Sequence, residues 1–386
     1  MPPAVTVPFL SEPVGNTLLL IGSFLLLLLG AEIFTNGVEW LGQRLGVSES
    51  ATGSILAAVG TARPETMIPV IAILQVRFGT GSQAAADEVG VGAILGAPFM
   101  LATIAMFLVG MSVLYFRSRR RFGGQMHFNA ESTRRDLGFF LVGYSLAFLS
   151  ALVPWRPVAL LIGVSLVILY VFYLYRSLKS GELIEGEELE ELHLGVAIDR
   201  TLTPMPGPFP RRDHSGNPNT LVVVLQTLFA LGVIIGGAHL FVQEVQWASQ
   251  EVLGIPTAVV ALLLAPLATE LPEKFNSVIW ISRDKDTLAL GNITGAMAFQ
   301  GTLPVTLGIV FTSWNLSLQW GTAGFLNGLS AILAIVSGGI LYLRARNIGE
   351  GNMHPRPFLI GGLFYLLFII ILVWHVMQYD LSVTPH

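Results

Sequence analysis

The sequence predicts an all-α membrane protein of ten transmembrane helices, arranged as two inverted five-helix repeats. Three observations carry that prediction. First, the 386 residues are 53% hydrophobic and only 12% charged, with a mean hydropathy of +0.68. Soluble domains carry about 25% charged residues, and a soluble chain this apolar would expose large sticky patches. Second, ten apolar runs approach the roughly 20 residues that cross a bilayer. Third, the basic residues divide very unequally between the two ends of those runs.

The runs fall at 15–41, 49–75, 89–116, 136–153, 157–176, 219–248, 256–281, 287–312, 321–343 and 357–378. The first is read as a membrane helix. No Lys or Arg occurs in the first 16 residues, so the positive n-region of a secretory leader is missing. Runs four and five are divided by SALVPWRP, where Pro154 and Pro157 oppose a continuous helix. The segment 177–218 interrupts the series. Its first part, around Glu182 to Glu191, is acidic, and its second part is Pro-rich and irregular. It reads as a linker between an N-terminal half, 1–176, and a C-terminal half, 219–386.

Threading ten helices puts 17 Lys and Arg on one side of the membrane, among them Arg44, Arg117, Arg120, Arg176, Arg283 and Arg344. The other side receives only Arg77 and Arg156. The positive-inside rule then places both termini outside and the linker in the cytoplasm, in a cell inner (plasma) membrane. Five is odd, so the two halves enter from opposite sides. Inverted halves of this kind meet around a midplane site.

Two stretches repeat one another. Gly30 to Glu65 and Gly237 to Glu273 each begin Gly-Ala and place a Trp ten residues on (Trp40, Trp247). Each ends in Thr-x-x-Pro-Glu, Thr61 to Glu65 and Thr269 to Glu273. The hydroxyls of Thr61 and Thr269 lie at i−4 from the glutamates and share their helix face. Pro64 and Pro272 lack an N–H, so the carbonyls of Gly60 and Ala268 lose their helical partners and can face an ion. Intramembrane carboxylates beside such breaks mark ion pathways. Gln300 and Asn292 add amide oxygens, but eight residues of helix separate them by about 12 Å.

Four further groups bear on that site. Arg63, two residues before Glu65, either enters the site as an internal cation or pairs elsewhere. Glu270, one turn before Glu273, either carries a proton or ion or pairs with Lys274 or Arg63. Glu32, Asn36 and Glu39 share one face of the first helix. His239, Gln243 and Gln246 match that spacing in the sixth, with Glu244 nearby. Glu39 and Gln246 are read as reaching the headgroup layer, and His239 as a relay able to titrate near neutrality. Asp87, Glu88 and the run Arg117 to Arg121 are read as solvated.

In these residues the chain resembles the calcium/cation antiporter superfamily, the group that contains the sodium/calcium exchangers. That family carries a Gly-Thr-Ser-x-Pro-Glu motif on the second helix of each repeat. Gly60, Thr61, Ala62, Arg63, Pro64 and Glu65 match it in the first repeat, and Ala268, Thr269, Glu270, Leu271, Pro272 and Glu273 in the second. Its third-helix motif is matched by Gly92, Ala93, Gly96, Ala97, Pro98 and Leu101, and by Gly291, Asn292, Gly295, Ala296, Met297 and Gln300. The resemblance implies an exchanger-like fold with Glu65 and Glu273 as the cation ligands. It also implies long first and sixth helices that slide during transport. Several ligands depart: family serines are Ala62, Ala97 and Ala296, and a family amide is Leu101. Calcium takes six to eight oxygens, and between Val89 and Gly110 the only side-chain hydroxyl is Thr103.

The expected function is a secondary-active cation antiporter, Ca²⁺ against Na⁺ or H⁺, with no cofactor beyond the transported ions. The alternative is a divergent exchanger-fold transporter of another cation or solute, or a non-transporting membrane protein in which Arg63 neutralises the former ion site. Lipid and small inorganic cations are the expected partners. A net charge of −4 points to no nucleic acid, and no obligate protein partner is indicated. An enzyme is not expected, since neither a histidine-rich cluster nor a hydrolase serine motif is present. With no cysteine, thiolate metal sites and disulfides are excluded.

Overall fold

The structure is a computed structural model that describes residues 12–44, 64–77, 83–179, 192–193, 220–255, 257–314, 316, 318–347 and 352–378. In chain order the elements are α1 (Glu12–Arg44), α2 (Pro64–Arg77) and α3 (Gln83–Met100). A π-helical turn (Leu101–Ala105) then leads into α4 (Met106–Phe116). There follow β1 (Met126–His127), α5 (Ala130–Leu152), α6 (Arg156–Lys179) and α7 (Thr220–Trp247), which closes in a second π-helical turn (Ala248–Leu253). Next come α8 (Thr257–Thr269), α9 (Leu271–Ser282), α10 (Asp286–Gln300) and α11 (Leu303–Phe311). The last are α12 (Ala323–Arg346), β2 (Asn352–Met353) and α13 (Arg356–Gln378). Eight helical stretches among the described residues are long and apolar enough to cross a bilayer. The chain is an all-α, multi-spanning membrane protein. Exposed Leu18, Ile21, Leu25 and Leu29 on α1, and Leu161, Val164 and Ile168 on α6, form outer faces suited to lipid.

Two of the expected runs are not single helices. The run 256–281 divides at Glu270 (φ −93°, ψ 2°) into α8 of 13 residues and α9 of 12. Pro272 explains the break, because it cannot donate to the carbonyl of Ala268. The run 287–312 breaks after Gln300, at Gly301 and Thr302 (φ −129°, ψ −76°). Pro304 opens α11, and its missing N–H leaves the Gln300 carbonyl without a helical donor. The Thr302 hydroxyl covers carbonyls at this break, donating to those of Ala298 (2.8 Å) and Phe299 (2.9 Å). Of the run 49–75, residues 49–63 lie outside the described residues.

Close packing explains several glycines. α1 and α7 run antiparallel, with Gly30 against Ile234, Gly37 against Thr227, and Gly237 against Leu26 and Leu27. A Cβ on Gly37 would sit 2.5 Å from the Thr227 hydroxyl. The side-chain amide oxygen of Asn36 accepts from Gln226 Nε2 at 2.8 Å, closing the same seam. α3 meets α8 at Gly96, where a Cβ would lie 2.1 Å from the carbonyl oxygen of Leu262. That carbonyl is the one Pro266 cannot serve. So the glycine backbone of one helix covers an acceptor stranded on the other.

The π-helical turn in α3 is covered in the same manner. Ser337 on α12 donates to the Ala102 carbonyl at 2.6 Å, and Gly361 on α13 abuts the Thr103 carbonyl. Leu101 is fully buried in the large hydrophobic core shared by α3–α6 and α8–α13. A second core joins α1, α2, α7 and α8, with Val89 and Ala93 of α3 entering it. Thus α3 and α8 belong to both cores and form the seam of the molecule.

Candidate functional site

The two helix breaks face one another. Gln300, the last residue of α10, donates from Nε2 to Oε1 of Glu270 at 2.5 Å. Both side chains are 1% exposed. Thr269, the last residue of α8, is also buried. Among the described residues neither its hydroxyl nor Oε1 of Gln300 has a hydrogen-bond partner. Buried polar atoms are normally satisfied. Two orphaned oxygen acceptors beside a carboxylate form a surface that a cation would complete. Each break also ends one half-helix and begins another: α8 ends as α9 begins, and α10 ends as α11 begins. Helix C-termini favour cations and helix N-termini favour anions.

The motif glutamates both lie near helix starts. Glu273 is the third residue of α9 and Glu65 the second of α2, so both lie in the first turn of a helix. Their side chains, with that of Glu39 and all of Thr61 and Arg63, lie outside the described residues. Lys274, next in sequence to Glu273, is 4% exposed and donates from Nζ to the Pro266 carbonyl at 3.4 Å.

Other expected participants are placed elsewhere. Asn292 donates to the Ser277 hydroxyl at 3.3 Å, and that hydroxyl in turn reaches the Ala289 carbonyl. It therefore ties α10 to α9, two turns from Gln300. Asn36 serves the α1–α7 seam, and its oxygen also accepts from the backbone N–H of His193 at 3.1 Å. Glu32 has a 65% exposed side chain, 3.7 Å from Nε2 of His193. His239 sits between two glutamines: Gln75 of α2 is 2.7 Å from Nδ1, and Gln243 is 3.3 Å from Nε2. An imidazole carries at least one N–H in either protonation state, so at least one of the two amides presents its oxygen. Glu244 is buried, and its Oε2 has no hydrogen-bond partner among the described residues.

Three polar arrangements depart from the sequence reading. Arg120 is not solvated. It is fully buried, and Nη2 contacts both carboxylate oxygens of Asp286 at 2.6 and 2.5 Å. The His127 N–H donates to the same carboxylate at 2.8 Å. β1 pairs with β2 just beyond, Met126 opposite Met353 and His127 opposite Asn352. Glu88 is likewise engaged, accepting from the hydroxyl and the backbone of Thr257 at the start of α8. Thr257 in turn is 3.0 Å from the Ser249 hydroxyl. Asp136 was not singled out at all. It is 2% exposed and accepts from Thr294 (2.8 Å), Tyr173 (3.3 Å) and its neighbour Arg135 (3.2 Å). Its position at the edge of a run of membrane-spanning length was the signal available in the sequence. No cluster of three or more His, Cys, Asp or Glu able to hold a metal occurs among the described residues.

Comparison with known proteins fits this architecture. The family described as "Sodium/calcium exchanger protein" matches residues 15–179 and 222–377. No curated protein matches the chain. Among solved structures, an H⁺/Ca²⁺ exchanger CAX is similar, with a TM-score of 0.65 and 17% identity. The match covers 93% of this chain and 82% of that one. The sodium-calcium exchanger NCX_Mj, soaked with 2.5 mM Na⁺ and 10 mM Sr²⁺, gives a TM-score of 0.53 at 18% identity. That match covers 92% of this chain and 98% of the other. At these identities the structural likeness establishes the fold. Since the family's pattern spans well over half the sequence in two blocks, the chain belongs to the sodium/calcium exchanger family of membrane transport proteins.

Proposed function

We propose that this protein is a divergent exchanger-fold secondary transporter of a cation, with its binding site at the paired helix breaks. The observation that carries the reading is the buried Glu270–Gln300 hydrogen bond beside the orphaned oxygens of Thr269 and Gln300. A cation entering there meets one carboxylate, an amide oxygen, a hydroxyl and carbonyls released by proline. Glu273 and Glu65, with Thr61, complete the first coordination shell from the two repeats. The third helix contributes none: Leu101 packs in the core, and the Thr103 hydroxyl is spent on the Phe99 carbonyl at 2.5 Å. Six to eight hard oxygens for Ca²⁺ are therefore harder to assemble than the smaller set that suits one monovalent ion.

The arrangement of the halves follows the same reading. The units 1–176 and 219–386 act as inverted five-helix repeats, ten helices in all, around this midplane site. Both termini lie outside the plasma membrane, and 177–218 lies in the cytoplasm. Alternating access exposes the site first to one side and then to the other.

A second reading keeps Ca²⁺ as the substrate, exchanged for Na⁺ or H⁺. It is favoured by the fold shared with an H⁺/Ca²⁺ exchanger and a sodium-calcium exchanger. Flux into proteoliposomes separates the readings. Wild type, Glu273→Gln and Glu270→Gln are compared under imposed Na⁺, Ca²⁺ and pH gradients. The proposal expects cation flux that falls at least tenfold in either variant. Flux that survives both substitutions sinks the site assignment. No cation flux under any gradient favours the non-transporting alternative, in which Arg63 neutralises the site.

A further inference from the structure

Of the 21 Lys and Arg, only Arg63 and Lys274 fall within the apolar runs rather than at their ends. Lys274 is 4% exposed, as buried as the hydrophobic core around it. A buried ammonium is expensive unless it is held by compensating groups. Here it folds back across the α8–α9 break and lies 3.4 Å from the Pro266 carbonyl. The same oxygen accepts the backbone N–H of Glu270 at 3.0 Å. The ammonium and the Glu270 N–H thus share one acceptor, and Glu270 precedes Lys274 by four residues, one helical turn.

α8 carries no charged side chain, and α4, which packs against α9, carries none either. The one charged residue of α10 is Asp286, which is occupied by Arg120. A buried ammonium on a backbone carbonyl, one helical turn along the chain from a buried carboxylate, occupies the kind of position that a bound monovalent cation would take.

We propose that Lys274 is a resident cation: its ammonium permanently fills one cation position of the site, and so lowers by one the number of positive charges the transporter carries. This rests on the transport reading above and deepens it. Lys274 acts here as a fixed charge that determines specificity and stoichiometry, without touching the chemistry of any other group.

The test is charge bookkeeping on the full-length chain. Charge moved per cycle is read from the reversal potential in proteoliposomes, and Na⁺ and Ca²⁺ binding to the detergent-purified protein is measured alongside. Lys274→Gln is expected to carry one more positive charge per cycle and to bind one more monovalent cation. Lys274→Arg should behave as wild type. Because Lys274→Gln leaves a carboxylate uncompensated and is the variant most prone to misfold, the Glu270→Gln/Lys274→Gln pair is read beside it. That pair removes one charge of each sign, so the reduced flux that the loss of Glu270 leaves should still show the wild-type charge per cycle.

An unchanged charge per cycle in Lys274→Gln overturns the inference. So does a double variant that differs from wild type by a full charge. If wild type moves no cation at all, the transport reading fails instead, and the two failures are thereby distinct.

Discussion

Removing Arg120 should destabilise the protein, and the size of the effect follows from its surroundings. Arg120 and Asp286 both have side-chain exposures of 0% and meet at 2.6 and 2.5 Å. Truncating one member of a buried pair strands the other charge and costs about 3–5 kcal/mol. Arg120→Met should therefore destabilise by about that amount, and Asp286→Leu by a similar one. Replacing both together removes the stranded charge, and apolar replacement of a buried pair is often neutral or better. The remaining losses are the His127 N–H that Asp286 accepts at 2.8 Å, worth about 1 kcal/mol, and the 3.5 Å contact of Arg120 Nε with the partly exposed Asp284, worth roughly 0–1 kcal/mol. The double variant should thus lie within about 2 kcal/mol of wild type. The coupling between the sites is then roughly 3 kcal/mol or more. Unfolding titrations of all four proteins in mixed micelles, with identical detergent, measure it. Single effects that add to within about 0.5 kcal/mol would refute the reasoning, because they would show no closed pair. Cation affinity should survive in Arg120→Met as far as the protein folds. Asp286 lies fourteen residues before Gln300, about 20 Å along the helix.

Gln300→Leu removes the donor to Glu270 and one orphaned oxygen, and should reduce cation flux at least tenfold. Flux within twofold of wild type would separate Gln300 from the site. Gly96→Ala places a methyl 2.1 Å from the Leu262 carbonyl and should destabilise by about 1–3 kcal/mol. Gly291→Ala, with open space around it, is the control and should melt as wild type in detergent. Glu88→Ala removes an acceptor from the first turn of α8. Its melting transition should fall by an amount equivalent to about 1 kcal/mol, the usual cost of a lost cap. Thr257→Val should reproduce part of that shift.

The membrane class was legible because a bilayer admits few solutions. Every backbone polar group must be satisfied within a helix, so run length and composition translate directly into spans. The break at Glu270 was legible through Pro272. The break after Gln300 was not, because Gly301, Thr302 and Leu303 keep the run apolar while the backbone turns. Hydropathy registers side chains, and only Pro304 announced the change. The pairing of Glu270 with Gln300 joins residues thirty apart on two helices, a relation that spacing within either helix cannot express. Arg120 was misread for a related reason. An arginine among arginines looks the same whether solvated or buried, and only its neighbourhood to Asp286 across 166 residues decides which. Asp136 is partnered by Thr294 across 158 residues and is hidden in the same way.

The seam between α1 and α7 bears on how the chain is made. The amide oxygen of Asn36 finds Gln226 only after 190 further residues have been synthesised. At roughly 5–20 residues per second, the first helix waits about 10–40 s for that donor. During the wait its glycine flank, at Gly30 and Gly37, has no matching surface to lie on. Final assembly of the first helix is therefore a late, post-insertion event, timed by the arrival of the second half at the ribosome exit.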